Sequence, residues 1–219
     1  MSQSDLETRF EDIVLAQIAR FPDSRFMRRV ETGTVELRHY HALLTTLFHQ
    51  TYSGPYTFAR AAVNCDWRHE TAKEYLIQHA EEERTHWRWV LDDLASTGYT
   101  GVNPRAVPPH PSCQAYIGLN YYIAEHVPVA RLAIAAVLEG IGAAHGATCG
   151  GKLLKALQLR KSQASFFTSH GETDKAHSVD LRQVITRCDL TDDEWMWMSH
   201  AAETAGLFYH GMYDHEDYA

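Results

Sequence analysis

The chain has 219 residues, 45% hydrophobic and 22% charged, and a formal net charge of −8. That length suits one domain with a sizeable core, spanning 1–219. The acidic balance, with no basic stripe interleaved with aromatics, excludes a nucleic-acid backbone as a partner. The most apolar run, near Leu132 to Leu138, is too short for a bilayer span, so no membrane partner is expected. The polar, acidic stretch Met1 to Phe10 does not read as a secretory signal. Cys65, Cys113, Cys149 and Cys188 are scattered, form no CxxC pair, and read as reduced thiols in a cytoplasmic protein.

Strand signals are nearly absent and helical periodicity runs through the chain. A first helix is predicted from after Ser4 to near Phe21-Pro22, with Asp5 and Glu7 at its positive end. A second runs from after Thr34 to about Tyr52, where Gly54-Pro55 punctuates the chain, and a shorter one covers Tyr56 to Asn64. Trp67 to Ser96 reads as one long helix closed by Gly98. Four prolines between Gly101 and Pro111 mark a loop suited to a mouth or lid. A tyrosine-rich helix follows from about Ser112 to His126, and Pro128 opens another running to about Thr148. Gly150-Gly151 is expected to break the chain before helices over Lys152 to Leu157 and Lys161 to Arg187. Thr191 caps the last helix. The expectation is an all-α bundle of about seven helices around one core, with sites built from side chains on facing helices.

Three stretches carry ligating chemistry. In His170-Gly-Glu-Thr-Asp174-Lys-Ala-His177, a turn angle of about 100° per residue puts His170, Asp174 and His177 on one narrow face, with Phe166 and Val184 continuing that side. A buried aspartate flanked by imidazoles is costly unless a cation compensates it. The two histidines are about 10 Å apart along the axis, which two ions about 3.5–4 Å apart bridge better than one. The alternative is a polar helix face with a satisfied His–Asp pair. Glu83-x-x-His86 is the one-turn carboxylate–imidazole unit of di-iron bundles. Glu82 could serve in place of Glu83, and His79 repeats the spacing as an outer group, unless the whole run is a solvated acidic face. Glu139 sits in an otherwise apolar helix beside Gly140, Gly142 and Ala143, small residues that let a helix or a substrate come close. Buried there, it needs a cation or a proton.

Together, Glu83-x-x-His86, Leu138-Glu139-Gly140 and His170-Gly-Glu-x-Asp174-x-x-His177 resemble the haem-oxygenase-like di-iron oxidase and oxygenase family, which shares its fold with TenA/PqqC-type proteins. The likeness extends from about Leu37 to the helix ending at Arg187. It implies a haem-oxygenase-like bundle of seven helices that binds two irons and activates O₂. Carried over, Glu83, His86 and His170 hold one iron, Asp174 and His177 the other, and Glu139 is shared or close by. Members often supply another glutamate from an earlier helix. Here that region reads Leu43 to Tyr52 and offers only His49, which either replaces the glutamate or leaves one ligand fewer.

The reading is therefore an iron-dependent oxidoreductase, oxidase or oxygenase, acting with O₂ on a small organic substrate, manganese also suiting these donors. The alternatives are a non-catalytic metal- or small-ligand-binding protein of the same fold, or a metal-free TenA/PqqC-like enzyme. The thiaminase-type relatives need a nucleophilic cysteine, and Cys65, Cys113 and Cys149 lack an activating neighbour in sequence. Haem oxygenases take a histidine from the first helix, which here has none, the nearest being His39 and His41. Tyr52, Tyr116, Tyr121 and Tyr122 are candidates to line the pocket, and Arg131 or Lys152 to pair with a substrate carboxylate. Trp195 and Trp197 offer either the face of a homodimer or a cap on the core.

Overall fold

A chain whose apolar residues recur every three to four positions can hide them only by packing helix on helix. The computed structural model describes residues 3–218, the side chains at 170–176 and 216 excepted. Its helices are α1 (Gln3–Arg20), α2 (Arg25–Thr32), α3 (Leu37–Asn64), α4 (Glu70–Glu83), α5 (Trp87–Ser96), α6 (Pro111–His126), α7 (Arg131–Ile141), α8 (Ala147–Ala156), α9 (Ser165–Arg187) and α10 (Asp192–Tyr213). No strand occurs among the described residues, and the all-α architecture is the expected one. The buried apolar side chains, from Leu6 to Tyr218, form one cluster.

The boundaries differ from expectation in four places. The helix α2 was not foreseen. It is closed by Gly33 in the left-handed region at φ 70°, which glycine adopts without steric cost. Gly54-Pro55 does not break α3, which runs through Pro55 because it packs against α4, α5 and α6. The segment 67–96 is not one helix, since a turn at Arg84–His86 divides α4 from α5. Gly150-Gly151 does not interrupt α8. A Cβ at Gly150 would lie 3.4 Å from the Phe167 Cβ, so glycine there lets α8 and α9 approach closely. Between α7 and α8, Gly142–Gly146 forms a π-helical turn and keeps the two in one continuous rod.

That rod, Pro128–Ala156, is long and apolar enough to cross a bilayer by length and composition. Its first half is the central core helix. Leu132, Ala133, Ile134 and Val137 are fully enclosed by α1, α6, α9 and α10. At the far end, Thr191 closes the foreseen capping box: its hydroxyl accepts from the Glu194 amide, and the Glu194 carboxylate accepts from the Thr191 amide at 2.8 Å.

The start of α9 is fixed from α5. Asp93 is fully buried and accepts four hydrogen bonds, from the Ser165 amide (2.8 Å), the Ser165 hydroxyl (2.7 Å), the Phe166 amide (2.9 Å) and the Tyr40 hydroxyl (3.1 Å). An anion bonded to the first amides of a helix satisfies otherwise orphaned donors and suits the positive end of the dipole. This anchor ties the first turn of α9 to α5.

Candidate metal centre

Three helices converge on one cluster: α4 brings His79, Glu82 and Glu83, α7 brings Glu139, and α9 brings His177. On α4, His79 and Glu83 are four residues apart and share a face. His79 is 1% exposed, clamped between the Tyr75 ring stacked at 5.3 Å and the Phe58 ring edge-on at 4.5 Å. Its Nε2 lies 3.1 Å from Glu139 Oε1. The His177 ring meets the His79 ring edge-on at 4.7 Å. Its Nε2 pairs with Glu82 Oε2 at 3.1 Å, and its Nδ1 is 3.4 Å from Glu139 Oε2 without forming a hydrogen bond.

The electrostatics follow from this packing. Burial pushes the Glu139 carboxyl up, but the adjoining imidazoles of His177 and His79 outweigh it and hold the group below its ordinary value. The Glu139 carboxylate raises His177 to about 9 against the opposing effect of burial. The raised value favours a proton on His177 beside Glu82, Glu83 and Glu139 in the metal-free chain. A metal ion suits the same place. His79, Glu83 and His177 each offer a ligand atom, and these atoms lie within 4.8 Å of one another. Three buried polar atoms here, His79 Nδ1, Glu139 Oε2 and His177 Nδ1, have no hydrogen-bond partner. Buried polar atoms are seldom left so, and nitrogen and carboxylate oxygen are the donors that iron or manganese accepts.

Of the residues singled out in sequence, Glu83, Glu139 and His177 come together, joined by His79 and Glu82. His86 adjoins the cluster at one remove. It lies in the turn after α4, with its Nδ1 2.7 Å from Glu83 Oε2 and its ring stacked on Trp89 at 4.0 Å. The side chains of His170 and Asp174 lie outside the described residues. His79 was expected in an outer position and is instead central. Its spacing to Glu83 was the signal, and α4 ending at Glu83 puts His79, not His86, on the shared face.

His49 does not replace the missing glutamate. It lies on the opposite side of α3 from Thr51, Gly54 and Phe58, in a separate depression with Thr45, Val107 and His110. Burial there pushes its imidazole below the ordinary value.

The cluster opens on a cavity of about 850 Å³, its mouth included. The walls are largely apolar, with Phe58, Leu138, Ile141, Phe166, Phe167 and Tyr209 beside His79, Glu83, Glu139 and Arg131. The tyrosines proposed as lining are elsewhere. Tyr52, Tyr121 and Tyr122 are 42%, 44% and 50% exposed, because each falls on the outer side of an α3 or α6 turn whose inner side carries Thr51, Tyr116 or Asn120. Lys152 is at the surface, paired with Glu31. Arg131, in contrast, is buried and lines the cavity. Gly140 admits a helix, since a Cβ there would strike Ile18 of α1, whereas Gly142 faces the cavity. Trp195 packs on Phe10 at 5.7 Å and caps the core.

The thiols are poor nucleophiles. Burial pushes Cys65, Cys113 and Cys149 up to about 12 and Cys188 up to about 11.

Comparison with known proteins agrees with this architecture. No functionally curated protein matches the chain. A domain of unknown function with a haem-oxygenase-like fold from Shewanella denitrificans superposes with a TM-score of 0.74 at 19% identity, covering 97% of this chain and 90% of that one. A TenA homologue from Pseudomonas syringae gives 0.78 at 13% identity over 94% and 90% of the two chains. Haem oxygenase from Leptospira interrogans gives 0.74 at 17% identity over 95% and 98%. At these identities the likeness establishes the fold, which is haem-oxygenase-like. The sequence itself goes further: residues 41–207 match the profile described as iron-containing redox enzyme, a span that includes every donor of the cluster, and the chain belongs to that family.

Proposed function

We propose that the chain is a non-haem iron oxidoreductase that uses O₂ to oxidise or oxygenate a small organic substrate, and that it binds two irons. One observation carries the reading. Donor atoms from α4, α7 and α9, three of them buried without a hydrogen bond, converge at the wall of a largely apolar cavity. One iron is assigned to His79, Glu83 and His177, with Glu139 beside them. The second is assigned to the neighbourhood of His86, together with His170 and Asp174, which lie outside the described residues. Bound iron supplies the electrons and the O₂ chemistry, and manganese suits the same donors.

The chain's own contribution is positioning and exclusion. The Tyr75 and Phe58 rings fix the His79 imidazole from two sides. Its contact with Glu139 Oε1 through Nε2 turns Nδ1 towards the open position, the orienting role that carboxylates play for ligating imidazoles. Glu82 pairs with His177 Nε2 and is placed to accept the proton that His177 would give up on binding a metal. The phenyl rings of Phe58, Phe166 and Phe167 keep bulk water from the reacting end of the cavity. The high thiol values argue against the metal-free, cysteine-dependent reading.

Anaerobic titration with Fe(II) tests the assignment. Stoichiometric uptake followed by O₂ consumption beyond that needed to oxidise the metal supports the enzyme. Uptake without such consumption supports a metal-binding protein without turnover, and absence of uptake removes both.

A further inference from the structure

The outer side of α3 and α6 carries almost no charge. From Leu47 to Asn64 on α3 and from Pro111 to His126 on α6, the only Lys, Arg, Asp or Glu are Arg60 and Glu125. These two neutralise each other across the helix pair at 2.6 Å. In a chain of net charge −8, this is a neutral face.

Aromatic rings cover it instead. Tyr56 is 56% exposed, and Tyr52, Tyr121 and Tyr122 are exposed by nearly as much. The rings form a connected band. Tyr52 stacks on Phe48 at 5.7 Å and meets Tyr56 at 5.7 Å and Trp87 at 5.9 Å, while Tyr122 adjoins Trp197 of α10 at 6.2 Å. Tyr121 lies within electrostatic reach of Tyr56 and joins the two halves of the band. Rings already held by neighbours lose little freedom when a further surface packs on them.

Midway along α6, Gly118 is exposed, and a Cβ there would meet nothing within 4 Å. No contact within the chain calls for glycine at this position, and glycine weakens the interior of an exposed helix. What it provides is room for another helix to lie close on the outside, since the side chains at the contact set how near two helices come.

We infer that this face binds a second copy of the chain in a two-fold dimer, α6 crossing its own copy at Gly118 with the tyrosines packed to either side. Charge and area both select a second copy. Two bodies of like charge approach most readily on a surface that carries none, and a face for a charged foreign partner displays the opposite sign, which this one lacks. At about 150–250 Å² for a whole aromatic side chain, the exposed fractions of the four tyrosines amount to roughly 400 Å², about half of the ~800 Å² that each partner gives to a standard interface. Val63, Ile117, Leu119 and Trp197, each wholly or partly exposed beside them, extend the apolar area. Many tyrosines and no lysine is the composition of an interface centre, and a two-fold axis makes such a patch its own complement. Trp195, buried against Phe10, takes no part.

Sedimentation velocity of the full chain over about 1–100 µM tests the inference. The variants are Gly118→Arg, Tyr56→Glu and, as a control, Leu15→Glu, which charges an equally exposed apolar residue on α1. The wild type should sediment as a dimer with a Kd in the micromolar range or tighter. Gly118→Arg and Tyr56→Glu should each raise that Kd by about 30-fold or more, and Leu15→Glu should leave it within about twofold. Arginine forms helix better than glycine and meets no obstacle at this position, so the thermal midpoint of the Gly118→Arg monomer should not fall. Should Tyr56→Glu not fold, Gly118→Arg decides. A wild type that stays monomeric at about 100 µM would overturn the inference and leave the face to a different protein. A dimer that a folded Gly118→Arg leaves intact, or that Leu15→Glu disrupts as strongly, overturns it as well.

Discussion

Asp93 and Glu139 are two carboxylates taken out of water in neighbouring parts of the same bundle, and they are treated in opposite ways. Asp93 accepts four hydrogen bonds and ties Tyr40 of α3 and the first turn of α9 to α5. Burial still holds it above the ordinary aspartate value, with those donors working against the shift. Glu139 has one bonded oxygen and one orphan, faces two imidazoles, and lies below its ordinary value. The contrast separates a structural acid from a candidate metal-site acid. The first has every lone pair accounted for by fixed donors. The second keeps capacity open beside other groups that do the same.

The sharpest way to break the contrast is to remove the structural acid. Asp93→Ala leaves two helix amides and the Ser165 hydroxyl without their acceptor, the Tyr40 hydroxyl keeping the Gln163 carbonyl at 3.1 Å, and should cost about 3–4 kcal/mol of stability in denaturant unfolding. Iron stoichiometry in the folded fraction should be unchanged. Equal losses of stability and of metal would show that the two acids belong to one system.

On the other side of the contrast, His177→Ala or His79→Ala should weaken Fe(II) binding by about 100-fold or more, read by competition with a chelator. His49→Ala should leave it within about twofold, since His49 lies in a separate depression. A larger effect at His49 than at His79 would refute the ligand set.

The pH dependence has a definite sign. His177 is raised from 6.5 to about 9, so in the metal-free chain its stabilising contribution is fully present below about 6.5 and is lost as pH rises through about 9. Metal must displace that proton. Affinity should therefore rise by about tenfold per pH unit between 6.5 and 9 and then level off, as measured by metal competition across that range.

The smallest effect on stability is expected at Glu139. Glu139→Gln removes a buried charge together with its attraction to His79 and His177, two terms that nearly cancel. The metal-free variant should differ from wild type by no more than about 1 kcal/mol in urea, while its metal affinity falls about tenfold.

Much of this site was legible because helical spacing is a geometric quantity. Glu83, Glu139 and His177, which the fold brings together, were singled out from carboxylates and imidazoles one or two turns apart and from a lone acid in an apolar helix. What spacing does not convey is where a helix stops. No glycine or proline marks the turn at Arg84–His86, so the run from Trp67 read as one rod and His86 took precedence over His79. The reverse error arose at Pro55 and at Gly150, where strong local signals for a break are overridden because α3 and α8 are held by neighbours on several sides. Arg131 was a candidate to pair with a substrate carboxylate, but sequence gives no sign that it is enclosed, since arginine seldom is. Only the packing of α3 and α6 over α7 reveals that it is buried.

The turn after Glu83 has a mechanical consequence. His79, Glu139 and His177 ride on stretches of continuous helix, where moving a side chain means moving a rod. Glu83 is the final residue of α4, and the backbone beyond it changes direction within three residues. Three of the four groups ride on stiff helix and the fourth sits on a joint. Compliance of the backbone is thus concentrated beneath Glu83, whose carboxylate is tied to His86 Nδ1 at 2.7 Å in the same turn, so the two move together.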